Sequence, residues 1–171
     1  MLGHLTNSNL TNIYKILQNG YLKSGKESGT TRMFGIHNKP SKYIYMMFAH
    51  TSKNNRVITY NFELDTSLLV EKKQKSYLNI GWLGKPSKNA ICIDHKSNLQ
   101  LDKLLDDFSS KLPDSAFSHE ILLERQVNLK KYLRKITIYS ESITRARHTY
   151  NKIITLLEKE YPDVVLVIHK K

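Results

Sequence analysis

Residues 118–136 constrain the fold of this chain most strongly, because their apolar residues do not follow a single period. A short apolar run at 121–123 follows a His-Glu pair, and Ile136 and Ile138 open a second apolar alternation. The polar residues 124–126 break the first run, and a tight connection and one helical turn are expected before the second run. The pattern predicts a strand, a short helix and a second strand.

Glu120 lies at the entrance of the first of these strands. A carboxylate buried there must find a partner or lose its charge, so Glu120 is a candidate functional residue. The alternative is an exposed strand end at which Glu120 pairs with one of the many lysines. Glu124 is a rival carboxylate on the same face of an extended strand, and we expect it to be exposed because it follows the apolar run.

Composition indicates one soluble domain with a basic surface. The 171 residues, 40% hydrophobic and 25% charged, fit a single domain over 1–171 with a substantial core. Twenty-seven Lys and Arg against 15 Asp and Glu give a net charge of +12, which favours DNA, RNA or a phosphate-rich small molecule as partner. No leader segment and no membrane-spanning run is evident, so we expect an intracellular protein without a membrane partner.

The remaining patterns mix strands and helices without strict alternation. Seven or eight strands against three helices favour an α+β fold with mainly antiparallel pairing and flanking helices. Gly20 is expected to end the first helix in the left-handed conformation. Cys92 lies in an apolar run, where we expect a buried thiol that packs as a small hydrophobe. Strands are predicted at 1–6, 43–48, 57–64, 68–70, 90–93, 135–139 and 164–168, and helices at 9–18, from 98 to Pro113 and at 142–160.

Several common sites are excluded by their missing motifs. The chain has no Gly-x-Gly-x-x-Gly, Walker, His-Glu-x-x-His or Cys-x-x-Cys motif. His4 lies in the short apolar opening strand, where it is either a hydrogen-bonded core histidine or a functional group. The polar segment 23–42 is a surface loop or one that closes over a ligand. Lysines and aromatic residues interleave over 71–82, which indicates either a nucleic-acid contact or a solvated edge.

Three segments in order resemble the ADP-ribosyltransferase superfamily. His4-Leu5-Thr6, followed by a helix at 9–18 and Asn-Gly-Tyr-Leu at 19–22, resembles the opening of that fold. The resemblance extends to Tyr-Ile-Tyr-Met-Met-Phe-Ala at 43–49. Residues 118–136 then resemble the ending seen in this superfamily, including the DarT-like enzymes that modify DNA bases.

The resemblance implies a split antiparallel β-sheet that clasps NAD, the donor of ADP-ribose. It implies that His4 and Thr6 hold the nicotinamide ribose and amide, and that Tyr43 or Tyr45 stacks on the nicotinamide ring. Glu120 would be the catalytic carboxylate that contacts the ribose 2′-OH or the incoming nucleophile.

The chemistry of these residue types fits the implied roles. A fixed carboxylate stabilises the positive charge that develops on the ribose as the bond to nicotinamide breaks, and it can accept a proton from the attacking group. Arg32 is a candidate for the NAD pyrophosphate, because a guanidinium binds phosphate as a fork. If the roles hold, we expect His4 and Glu120 to converge on one cleft, and if Glu120 faces away from His4 the enzyme prediction fails.

The predicted function is therefore an NAD-dependent ADP-ribosyltransferase, with nucleic acid favoured over protein as acceptor because of the basic charge. A non-catalytic basic nucleic-acid-binding module on the same fold is the alternative. A tRNA 2′-phosphotransferase is a third possibility, against which the missing second histidine and arginine pattern argues.

Overall fold

The computed structural model describes residues 1–4, 9–28, 42–48, 61–70, 76–80, 88–93, 100, 103, 104, 106, 107, 119–124 and 126–170. The strands are β1 (Leu2–His4), β2 (Tyr21–Leu22), β3 (Ile44–Phe48), β4 (Phe62–Leu64), β5 (Ser76–Ile80), β6 (Ile91–Cys92), β7 (His119–Leu123), β8 (Val127–Asn128), β9 (Leu133–Tyr139) and β10 (Val165–His169). The helices are α1 (Leu10–Asn19), α2 (Gly25–Ser28), α3 (Leu129–Tyr132), α4 (Ser140–Arg145) and α5 (Arg147–Glu160), with a 3-10 helix at Thr66–Val70.

Eight of these strands form one sheet in the order β10-β9-β4-β1-β3-β7-β5-β6, and β2 and β8 form a separate two-stranded ribbon. Neighbouring strands of the large sheet are antiparallel except β9 and β10, which are parallel. Helices α4 and α5 supply the crossover that a parallel pair requires. This arrangement confirms the predicted α+β class with mainly antiparallel pairing.

Helix α1 forms where its caps and apolar spacing predict. The Asn9 side chain accepts a hydrogen bond from the backbone N–H of Thr11 at 2.9 Å, which satisfies a free donor at the helix start. Gly20 ends the helix with φ of 72°, the left-handed conformation expected of it. The Tyr161 hydroxyl then donates to the Leu17 carbonyl at 2.6 Å, which ties the end of α1 to the end of α5.

The segment from β7 to β9 folds as its periodicity predicts. It forms β7, the short β8, one turn of helix in α3, and β9. Asn128 caps α3, because its side chain accepts a hydrogen bond from the backbone N–H of Lys131 at 3.3 Å. The sequence did not predict that β8 would leave the main sheet and pair with β2.

Three predictions about elements are wrong. Residues 68–70, predicted as a strand, belong to the 3-10 helix, which begins where Asp65 accepts a hydrogen bond from the N–H of Ser67. Cys92 is exposed rather than buried, because β6 is a two-residue strand at the edge of the sheet. The single helix predicted at 142–160 is interrupted at Ala146, whose φ of −143° is not helical.

The described part of the chain contains no helix long and apolar enough to cross a membrane.

Residues 100, 103, 104, 106 and 107 are helical, in agreement with the helix predicted from 98 to Pro113. Strand β5 was not predicted, because the lysines and aromatic residues in and around it obscure the alternation of apolar and polar side chains.

Candidate functional site

Glu120 is a buried carboxylate in the interior of the sheet. It is the second residue of β7, its exposed fraction is 2%, and β7 lies between β3 and β5. Asn79 lies directly opposite on β5, and its side-chain Nδ2 donates to Glu120 Oε1 at 2.7 Å. The exposed, lysine-paired strand end considered as an alternative is therefore wrong for this residue. Sequence reasoning missed Asn79, because a polar residue in a polar segment gives no local signal.

Glu124 makes the contact with lysine that was considered for Glu120. Its carboxylate forms an ion pair with Lys42, and its side chain is 23% exposed. The Lys42 ammonium also lies 5.1 Å from the centre of the Tyr43 ring. The hydrogen bond to Glu124 raises the pKa of Lys42 above its ordinary value. Glu124 thus forms an ion pair with a lysine at the surface, whereas Glu120 accepts a hydrogen bond from the side-chain amide of Asn79.

His4 is a hydrogen-bonded histidine at the end of β1. Its Nδ1 lies 2.8 Å from the carbonyl oxygen of Tyr45. A carbonyl can only accept, so Nδ1 carries the proton and Nε2 of the neutral ring is left as an acceptor. Burial lowers the pKa of His4, and the hydrogen bond to Tyr45 offsets this only in part. The ring is therefore neutral at pH 7, with a centroid 6.4 Å from that of Phe62.

Of the two candidate tyrosines, Tyr45 lies closer to Glu120 in the sheet. Tyr45 pairs with Leu122, which is two residues from Glu120 and therefore on the same face. Tyr43 is buried and packs edge-to-face against Tyr77, with ring centroids 6.1 Å apart. The Tyr43 ring also contacts Lys42, and Tyr45 is half-buried beside the carboxylate strand.

The strand register places His4 and Glu120 on opposite faces of the sheet. Leu2 pairs with Phe48 and Met46 pairs with Ile121, so alternation puts His4 on the face that carries Met46 and Ile121. Glu120, next to Ile121, points to the other face. The expectation that His4 and Glu120 converge on one cleft is therefore wrong, and the condition on which the enzyme prediction depended is not met by this register. His4 is on β1 and Glu120 is on β7, the two strands that flank β3.

His4 lies at the end of the described β1–β3 ladder. The described ladder pairs Leu2 with Phe48 and Gly3 with Met47, and at the next residue the imidazole of His4 contacts the β3 backbone.

Two further candidates, Thr6 and Arg32, lie outside the described residues. Within the described ranges, no group of three or more His, Cys, Asp or Glu side chains could hold a metal ion. On the Glu120 face the candidate site comprises one buried carboxylate, its amide partner and a half-buried tyrosine, whereas the neutral imidazole of His4 lies on the other face.

Comparison with known proteins identifies a family. Residues 2–115, two thirds of the chain, match a family described as a family of unknown function (DUF5846). The chain belongs to this family. The matched range includes His4, Tyr45 and Asn79 and ends before Glu120. An uncharacterised protein of Acanthamoeba polyphaga mimivirus is 26% identical over 164 residues, which cover 91% of this chain and 82% of the viral protein. No solved structure matches the chain.

Proposed function

We propose that this protein is an NAD-dependent ADP-ribosyltransferase in which Glu120 is the catalytic carboxylate, with nucleic acid favoured as acceptor. The observation that carries the proposal is the fixed, buried carboxylate of Glu120, bound by the Asn79 amide at 2.7 Å. An amide donor fixes the position of a carboxylate, and a fixed carboxylate can stabilise a cationic transition state.

Each residue of the site has a role in this reaction. NAD supplies an ADP-ribose group joined to a nicotinamide leaving group. Glu120 stabilises the positive charge that develops on the ribose and can accept the proton of the acceptor nucleophile. Tyr45, on the same face as Glu120, is the residue proposed to stack on nicotinamide, in preference to Tyr43.

His4 is proposed to bind a ribose hydroxyl rather than to exchange protons. Its Nδ1 proton is bound by the Tyr45 carbonyl, which leaves Nε2 as an acceptor for a hydroxyl group. Because the register puts His4 and Glu120 on opposite faces, it does not support one NAD molecule in contact with both, and this weighs against the enzyme. Thr6 and Arg32 retain their proposed roles at the nicotinamide amide and the pyrophosphate.

The basic charge favours a polyanionic acceptor. The net charge of +12 attracts nucleic acid over long distances. Helix α5 contributes exposed Arg147, Lys152 and Lys159 to that charge. DNA and RNA are therefore the first acceptors to test, with protein as the comparison.

A non-catalytic nucleic-acid-binding module is the second candidate, and a specific observation favours it. The hydrogen bond from Asn79 already satisfies one oxygen of Glu120 within the sheet, without any ligand. The same contact could therefore serve only to stabilise the fold, while the basic surface binds nucleic acid.

The Glu120→Gln variant tests the first proposal. Glutamine keeps an oxygen that can accept the Asn79 hydrogen bond, so the thermal unfolding midpoint should change little. Loss of the charge should reduce transfer from adenine-labelled NAD to DNA or RNA by at least about 100-fold. Glu124→Gln is the matched control, because it removes a carboxylate four residues away that pairs with Lys42, and it should retain full transfer.

The outcomes separate the candidates. Transfer unaffected by Glu120→Gln but lost in Glu124→Gln would assign the role to Glu124. No transfer and no NAD hydrolysis by the wild-type protein, with DNA, RNA and protein each tested, would reject the enzyme. Nucleic-acid binding together with no effect of NAD on the unfolding midpoint would then favour the binding module, since a ligand of the native state raises that midpoint.

A further inference from the structure

Strand β10 is an edge strand of the large sheet. It pairs with β9 on one side, and in the described ranges no other strand pairs with it. Alternate backbone N–H and C=O groups of a strand point to each side, so β10 presents a row of donors and acceptors away from β9. Such a row can pair with a further strand.

The side chains of β10 do not protect this edge. Val165 is 58% exposed, Val167 37% and Ile168 46%, and the strand contains no proline and no lysine. Edges of soluble proteins are usually shortened or carry charges that prevent pairing. The opposite edge follows that rule, because β6 has only two residues. Strand β10 is five residues long, and its first four residues are apolar.

The charges that flank β10 are self-complementary. Exposed Asp163 precedes the strand, and His169 and exposed Lys170 lie at its other end. Antiparallel pairing of two copies about Val167 would pair Val165 with His169 and Val164 with Lys170, so Asp163 of each copy would lie at the end that carries the basic residues of the other, next to these pairs and not directly opposite Lys170. Parallel pairing would instead bring like charges together.

We propose that β10 pairs antiparallel with β10 of a second copy of this chain, which joins two eight-stranded sheets across a two-fold axis at Val167. Each copy offers the same surface, so the contact closes as a dimer. Backbone hydrogen bonds supply the affinity and the flanking charges set the direction. This dimer is independent of the proposed activity.

Salt distinguishes this dimer from association through nucleic acid. Two copies that each carry a net charge of +12 repel, and salt screens that repulsion, so β10 pairing should strengthen as salt is raised. Association bridged by nucleic acid should weaken under the same change.

The test is the mass of the nuclease-treated full chain by analytical ultracentrifugation, at roughly 0.1 M and 0.5 M NaCl. We expect a dimer that is tighter at the higher salt. Val167→Lys should give a monomer, because it places like charges opposite each other on the two-fold axis. Ile91→Lys is the matched control: Ile91 is also 37% exposed but lies on the opposite edge strand, so this variant should remain dimeric.

A charge exchange tests the direction of pairing. Asp163→Lys should raise the dimer dissociation constant about tenfold, and adding Lys170→Asp should restore it. Circular dichroism of every variant checks that the fold is retained. A monomeric wild-type protein at both salt concentrations would overturn the proposal. Equal dissociation of Val167→Lys and Ile91→Lys, or no rescue by the exchanged charges, would also overturn it.

Discussion

Two carboxylates four residues apart have different environments in this protein. Glu120 is buried and receives a hydrogen bond from Asn79, whereas Glu124 is partly exposed and pairs with Lys42. The difference follows from their neighbours across the sheet and not from their local sequence. Glu120 is therefore a fixed carboxylate away from solvent, and this is the property that the proposed reaction uses.

Protonation of His4 is expected to oppose folding. Burial lowers the pKa of His4 in the folded state below its ordinary value of 6.5, so the unfolded chain takes up the proton first as the pH falls. The stability from the neutral ring is thus present above about pH 6.5 and is lost as the pH decreases towards the folded-state pKa. Urea unfolding should show wild type losing more stability than His4→Gln between about pH 8 and pH 5.5.

Glutamine suits this comparison because its amide can still donate to the Tyr45 carbonyl, which His4 contacts at 2.8 Å. His148 on α5 is exposed, so His148→Gln should retain the wild-type pH dependence. The same pH dependence in wild type and His4→Gln would contradict the assignment.

At the scale of elements, the end of α1 is fixed by backbone conformation. Gly20 has φ of 72°, a region in which a residue with a β-carbon is strained. The space itself is open, because the nearest atom to an added Cβ would be the Tyr161 hydroxyl at 3.8 Å. Gly20→Ala should therefore lower the free energy of unfolding by about 1–2 kcal/mol through strain alone. Gly20→Asn should cost less, since asparagine tolerates this conformation.

Urea unfolding of the two Gly20 variants measures this difference. An alanine variant as stable as wild type, or an asparagine variant less stable than the alanine one, would show that the left-handed end of α1 is not a source of strain.

The β7 to β9 region shows why some elements could be predicted. An apolar run, a capping Asn128 and a second apolar alternation are local signals, and each yields the observed element. Strand β5 lacks such a signal, although its Asn79 fixes the candidate catalytic carboxylate. The segment 68–70 carries apolar residues that a strand and a buried helical turn accommodate equally, so its conformation depends on the surrounding core.

At the scale of the whole molecule, the net charge of +12 predicts that affinity for nucleic acid depends strongly on salt concentration. If the acceptor is nucleic acid and about six or more phosphates are contacted, affinity should fall roughly 1,000-fold between about 50 mM and 200 mM salt. Fluorescence anisotropy with labelled single- and double-stranded DNA and RNA measures the slope. Stabilisation by NAD should change far less over that range, since NAD carries only a pyrophosphate. No binding to any of these nucleic acids at the lower salt would contradict the prediction.

The sequence by itself determined the α+β class, the capped helix α1 and the strand-helix-strand order around Glu120. These features follow from apolar period and capping residues, which act within a few positions. Tertiary structure alone decided which residues meet. Asn79 and Glu120 are 41 positions apart, and the register of β1, β3 and β7 places His4 and Glu120 on opposite faces. The exposure of Cys92 likewise depends on the position of β6 at the edge of the sheet. Such contacts depend on which strands become neighbours, and no local pattern encodes that choice.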